Sequence, residues 1–127
     1  MSRLGALRIF VVEDESLILM LLRDMIEQLG HVCAFEARRL DAALKLARDA
    51  EFDLAVLDVN VKDEMTYTVA ETIIARGLPV VFATGYGPLG LEAGYQDLPI
   101  LQKPFDLCAL RNAIDLAMQR SRGGSEG

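Results

Sequence analysis

Five side chains in this sequence are of types that can act together, and each stands at or just beyond the end of a short apolar run. Glu13 and Asp14 follow Ile9-Phe10-Val11-Val12, Asp58 follows Leu54-Ala55-Val56-Leu57, Thr84 follows Val80-Val81-Phe82-Ala83, and Lys103 comes soon after Ile100-Leu101. Carboxylates brought close together repel one another, and a hard divalent cation relieves that repulsion. Mg2+ fits the set, since it takes a few carboxylates and a carbonyl, keeps several waters and leaves a position for a phosphoryl oxygen. With the cation and the Lys103 ammonium drawing off charge, Asp58 can act as a nucleophile toward a phosphoryl donor. Thr84 can donate a hydrogen bond to the transferred group, and the flexible lysine stem supplies reach. Taken singly, Thr84 reads as a turn hydroxyl, Lys103 as a surface lysine and Glu15 as a helix-start charge. The argument rests on four chain segments ending in mutually suited residues.

For these residues to meet, the runs before them must lie side by side. Leu7–Val12, Val32–Phe35, Leu54–Leu57, Val80–Ala83 and a weaker Ile100–Leu101 are short, apolar and rich in β-branched residues, which predicts strands. Between them lie stretches of helical period. Ser16 to Leu29 opens on a capping-type serine and stops at Gly30. Leu40 to Ala50 puts Leu40, Ala43, Leu44, Ala47 and Ala50 on one face. Thr66 to Arg76 stops at Gly77, before Pro79, and Asp106 to Arg120 caps on Asp106 and presents Leu110, Ile114, Ala117 and Met118. Alternating strands and helices with near-continuous apolar strands predict an α/β fold, a doubly wound five-stranded parallel sheet covered on both faces. Ligands of such sheets bind beyond the carboxyl ends of the strands, where the five side chains stand. Between Gly85 and Asp97 four further residues, Gly87, Pro88, Gly90 and Gly94, disfavour a fourth helix, which is expected to be weak or disordered.

Composition narrows the class. The chain has 127 residues, enough for one domain with its own core, and 52% hydrophobic with 25% charged residues excludes a disordered polymer. No apolar run is long enough to span a bilayer and no secretory leader is legible, so a cytoplasmic protein without a membrane partner is expected. A net charge of −6 without a basic stripe argues against a nucleic-acid partner. Cys33 and Cys108 lack metal-ligand spacing, and His31, directly after Gly30, reads as a surface residue.

Val12-Glu13-Asp14-Glu15, Leu57-Asp58-Val59-Asn60, Ala83-Thr84-Gly85 and Lys103-Pro104-Phe105 together resemble the motifs of CheY-like receiver domains of two-component response regulators. The resemblance covers residue 7 to about 120. It implies a flavodoxin-like sheet of order 2-1-3-4-5, with Asp58 as phosphoacceptor and Mg2+ held by Glu13, Asp14, Asp58 and the Asn60 backbone carbonyl. It also implies that Thr84 and Lys103 hold the phosphoryl group, and that the Lys103–Pro104 peptide is cis. Phe82-Ala83-Thr84-Gly85-Tyr86 is similar to the FAT-GUY subgroup, whose members often stand alone. Where many receivers carry Tyr or Phe, three residues before the lysine, this chain has Ile100, so switching is expected in the backbone of 85–97 rather than through an aromatic latch.

The resulting expectation is a receiver domain over 1–121 with a disordered tail over 122–127, working as a single-domain response regulator in a phosphorelay. It would take its phosphoryl group from a sensor histidine kinase or histidine phosphotransfer protein and act on a downstream protein, without being an enzyme in its own right. A haloacid-dehalogenase-type phosphatase needs a second aspartate where Asn60 stands, and a flavin module needs a Ser/Thr-rich loop after the first strand. The remaining alternative is a pseudo-receiver that only binds partners.

Overall fold

The computed structural model describes residues 5–126 except 86–89, with side chains to Arg120. In chain order the elements are β1 (Arg8–Val12), α1 (Ser16–Gln28), β2 (Val32–Ala37), α2 (Leu40–Asp49), β3 (Leu54–Asp58), β4 (Asn60–Val61), β5 (Glu64–Met65), α3 (Tyr67–Ala75), β6 (Val80–Thr84), β7 (Ile100–Gln102) and α4 (Leu107–Glu126). The main sheet runs β2-β1-β3-β6-β7 with every neighbour parallel. With the small β4–β5 hairpin set aside, that is the expected 2-1-3-4-5 order.

The period of a strand explains the two cores. Alternate residues point to opposite faces, and both faces here are covered, so the strands are apolar at nearly every position. Phe10, Val12, Ala55, Leu57, Val80 and Phe82 pack with Ala43 and Ala47 of α2 and Val69, Ala70 and Ile73 of α3. Ile9, Val11, Leu54, Val56, Val81 and Ala83 pack with Leu19, Leu22 and Ile26 of α1 and Leu110, Ile114 and Ala117 of α4. Each large side chain buried in this way stabilises the fold by about 1.5–3 kcal/mol relative to exposure.

Two helices end as their glycines predict. Gly30 (φ 88°) and Gly77 (φ 81°) adopt the left-handed conformation. In each case the glycine amide and the next amide reach back to helix carbonyls, Gly30 to Glu27 and His31 to Ile26, Gly77 to Ile74 and Leu78 to Ile73. At the start of α4 the Asp106 carboxylate accepts the Ala109 N–H at 2.8 Å, the cap read from the sequence. Ser16 is a different case. It is the first residue of α1 and caps nothing; Glu15 holds the N-cap position, and the Ser16 hydroxyl accepts a bond from Arg38 at 2.7 Å. A long-range cation has captured the hydroxyl that a local reading assigns to the helix.

Of the 85–97 stretch, Tyr86 to Leu89 lie outside the described residues, and with them the last residue of the Phe82–Tyr86 motif and part of the predicted switch segment. The described part carries a 3-10 turn over Ala93–Tyr95 and no α-helix, in keeping with its glycines. α4 continues to Glu126, past Arg120 and through Gly123-Gly124, where the sequence reading places the end of the helix and a tail. Extending a helix already nucleated and docked adds one hydrogen bond per residue fixed, so its end is set less by local composition than its start.

His31 corrects the sequence reading outright. It is buried at 9% exposure, because the turn after α1 folds it beneath the start of β1, where its Nδ1 accepts the Leu7 N–H at 3.0 Å. Burial lowers its pKa from the usual 6.5, against an opposing pull from Asp115. Accepting a bond at Nδ1 requires the neutral ring. As the pH falls below 6.5 the unfolded chain takes up a proton that the folded chain refuses, so stability is lost toward acid. His31→Ala should cost about 1–3 kcal/mol at neutral pH, the scale of an unpaired buried N–H, and should flatten the acid side of the stability curve between pH 7 and 5. Thermal melts across that range check both, and an unchanged pH slope in the variant would contradict the assignment.

Candidate functional site

The carboxyl edge of the sheet gathers the predicted residues. β1 delivers Glu13 and Asp14, with the Glu13 amide bonded to the Ala37 carbonyl of β2 at 3.0 Å. β3 ends on Asp58 and β6 on Thr84, whose carbonyl accepts the Lys103 N–H at 2.9 Å. Both strands are apolar up to the point where helix cover ends, so the first polar residue emerges at the edge. The Lys103–Pro104 peptide is cis.

Lys103 Nζ sits 3.0 Å from Asp58 Oδ2 and 3.1 Å from Glu13 Oε1. One oxygen from each of Glu13, Asp14 and Asp58 can be chosen so that all three lie within 4.8 Å of one another. At that separation two carboxylate charges repel by about 3–4 kcal/mol at an effective dielectric of about 20. Burial pushes the Glu13 carboxyl up to about 7, helped by the Asp58 charge and opposed by the Glu15 N–H and Lys103. Burial alone would depress the Lys103 ammonium, but the hydrogen bonds and charges of Asp58 and Glu13 outweigh it and hold its pKa above the usual value. Three carboxylates against one ammonium leave room for more positive charge. Hard oxygen donors at this spacing fit Mg2+.

Each acid is also held by backbone. The Asn60 N–H bonds Asp58 Oδ1 at 3.2 Å, the Lys62 N–H bonds Asp14 Oδ2 at 3.2 Å and the Glu15 N–H bonds Glu13 Oε2 at 3.2 Å. Thr84 is buried at the same edge. Of the sequence-predicted residues, Glu13, Asp14, Asp58 and Lys103 thus meet directly. Asn60 supplies its amide here, and its side chain is turned into the hairpin, bonding Asp63 and Met65.

Several supporting residues carry no local signal. The Thr66 hydroxyl, fully buried, donates to the Asp58 carbonyl at 2.6 Å, and the Thr66 N–H bonds the Val59 carbonyl at 2.9 Å, closing the loop between β3 and α3. Arg38 donates to the Asp14 carbonyl at 3.0 Å. Tyr95 stacks on Tyr67 with ring centroids 4.5 Å apart, Phe82 stands edge-on to both, and the Tyr67 hydroxyl accepts the Glu92 N–H at 3.0 Å. Ile100 is in register with Phe82, so aromatic rings lie next to a position that itself has none. They arrive from α3 and from the segment before β7, which the spacing to Lys103 does not reveal.

Among the described residues no helix is long and apolar enough to cross a membrane. Residues 9–115 match the response regulator receiver domain family. The chain is 31% identical over 119 residues to the transcriptional regulatory protein PdtaR of Mycobacterium tuberculosis, covering 91% of this chain and 58% of PdtaR. Its fold is similar to that of SdrG from Sphingomonas melonis Fr1, at 36% identity and a TM-score of 0.81, covering 93% of this chain and 99% of SdrG. It is also similar to the response regulator PhyR from Brucella abortus, at 28% identity and a TM-score of 0.80, covering 94% of this chain but 51% of PhyR. The chain therefore spans little more than half the length of PdtaR and of PhyR. The match begins at Ile9 within β1 and takes in every later strand of the sheet, including all that end at the acidic edge, and on that ground the chain belongs to the response regulator receiver domain family.

Proposed function

We propose that this receiver domain accepts a phosphoryl group on Asp58, with Mg2+, from a phosphohistidine of a sensor kinase or phosphotransfer protein. One observation carries the reading: Asp58 ends β3 beside Glu13 and Asp14 with Lys103 Nζ at 3.0 Å. Its side chain is 13% exposed, open enough for an incoming group. A lone pair of the carboxylate forms the new O–P bond, while the bond from phosphorus to the donor nitrogen breaks and leaves its electron pair on that nitrogen. Lys103 and the Asn60 amide hold the carboxylate in place for the attack. Glu13, Asp14, Asp58 and the Asn60 carbonyl are the groups that would hold the cation. Bound Mg2+ would neutralise charge on the acids and on the phosphoryl oxygens. Thr84, at the same edge, is the hydroxyl proposed to bond the transferred group, whose charge of about −1.5 to −2 calls for donors.

A protein donor is supported by the helix beside the site. Leu17 is 79% exposed, and Met20 and Leu21 are exposed with it on one face of α1, which begins two residues after Asp14. The alternative of a partner-binding module that is never phosphorylated leaves unexplained why an acid as buried as Glu13 faces both Lys103 and a second carboxylate.

Incubation with acetyl phosphate tests the proposal. One base-labile phosphoryl group per chain is expected in millimolar Mg2+ and essentially none in a chelator. Equal labelling in both conditions, or in neither, would overturn it.

A further inference from the structure

The loop between β3 and α3 is built in an unusual way for what it does. β4 and β5 pair antiparallel, Asn60 with Met65 and Val61 with Glu64. The two residues joining them, Lys62 (φ 53°) and Asp63 (φ 65°), are both left-handed and neither is glycine. Such a turn prefers Asn-Gly, and Lys62, which has neither the freedom of glycine nor the short polar side chain that lets an aspartate such as Asp63 enter that region, costs about 1–2 kcal/mol there. An isolated two-stranded hairpin is marginal even without that strain, so other contacts must hold it.

Those contacts lead to the acidic site. The Asn60 Oδ1 accepts the Asp63 N–H across the turn at 3.0 Å, and its Nδ2 reaches the Met65 sulfur at 3.6 Å. The Lys62 N–H at the tip bonds Asp14 Oδ2 at 3.2 Å, and the Asn60 N–H at the base bonds Asp58 Oδ1 at 3.2 Å. One strained hairpin thus offers an amide to each of two carboxylates that come from different strands, 44 residues apart in the chain.

We propose that the Asn60–Met65 hairpin is the positioning element of the acidic site, and that the Asn60 side chain acts as its clip rather than by touching the phosphoryl group. With the clip closed, Asp14 and Asp58 are held ready for a cation. With it open, the Lys62 amide leaves Asp14 and only a fraction of molecules is competent, which weakens the apparent affinity in proportion. The inference rests on the Mg2+ site proposed above and names what regulates it.

The test is a Mg2+ titration of the full chain, followed by amide chemical shifts and needing no phosphodonor. Asn60→Ala should weaken Mg2+ binding about three- to tenfold, the scale of one lost intramolecular hydrogen bond. Adding Lys62→Asn and Asp63→Gly to that variant supplies a turn that closes without the clip, and should bring the affinity back to within about twofold of the original chain. A side chain acting directly on the metal or the phosphoryl group would not be rescued by a better turn. Failure of the triple variant to recover, or an Asn60→Ala variant that binds as tightly as the original, overturns the hairpin's role while leaving the metal site standing. An original chain that shows no Mg2+ response removes both.

Discussion

Asp58→Asn is expected to abolish labelling by acetyl phosphate, with a loss of at least about a hundredfold, since removing a covalent nucleophile elsewhere costs far more than that. The amide keeps the shape of the carboxylate but has no charged oxygen to attack phosphorus. Loss of labelling alone is also what misfolding would give, so a second readout matters. Asp58 is one of the causes, after burial, that push the Glu13 carboxyl up to about 7. Without that negative charge the Glu13 carboxyl should titrate lower, by an amount that burial limits. A Glu13 titration followed by carboxyl carbon shifts reports it in the folded variant. If Asp58→Asn labels as fully as the original, the phosphoacceptor lies elsewhere.

Lys103→Ala should have the second largest effect, and it should depend on pH. The substitution removes the ammonium shared by Glu13 and Asp58 at 3.1 and 3.0 Å. Breaking one side of a buried ion pair costs about 3–5 kcal/mol. The Lys103 side chain is 20% exposed, so solvent reduces this, and we expect about 1–3 kcal/mol. Above pH 7 Glu13 is charged and the loss is greatest. As the pH falls below about 7 the Glu13 carboxyl takes up a proton in the folded chain before it does in the unfolded one, its charge no longer calls for the ammonium, and the loss shrinks. Mg2+ should restore part of the stability by supplying the missing charge. Labelling should slow by about 10²–10³-fold, as when a charge-stabilising donor is lost from an acyl- or phosphoryl-transfer site. Denaturant melts at pH 8 and pH 5 measure the first effect. Equal stability at pH 8 would show that the ion pairs contribute nothing.

The sequence by itself determined the sheet and what stands at its edge. Burial on both faces forces a strand to be apolar throughout, and an amphipathic helix repeats every 3.6 residues, so β1, β3, β6 and the helices between them are written in local patterns. Glu13, Asp14, Asp58, Thr84 and Lys103 are each the first polar residue, or nearly so, after such a pattern. Glycines that must turn left-handed mark the ends of α1 and α3 as plainly. The order of the strands came with the family motifs and agrees with the sheet found.

Only the tertiary structure decided how those acids are held. The hairpin is not legible locally because Lys62 is no turn former and Lys62-Asp63 lacks the glycine that marks a left-handed turn; the strain at Lys62 is offset by Asn60 and by Asp14, which is distant in sequence. Ser16 looks like a cap until Arg38 arrives from β2's end, and His31 looks solvent-exposed until β1 starts above it. Thr66, Tyr67 and Tyr95 give no sign of their contacts with Asp58, Glu92 and Phe82. Periodicity records whether a residue is buried. It carries no record of which distant donor, ring or carboxylate it is buried against, because that is settled only when separate elements pack.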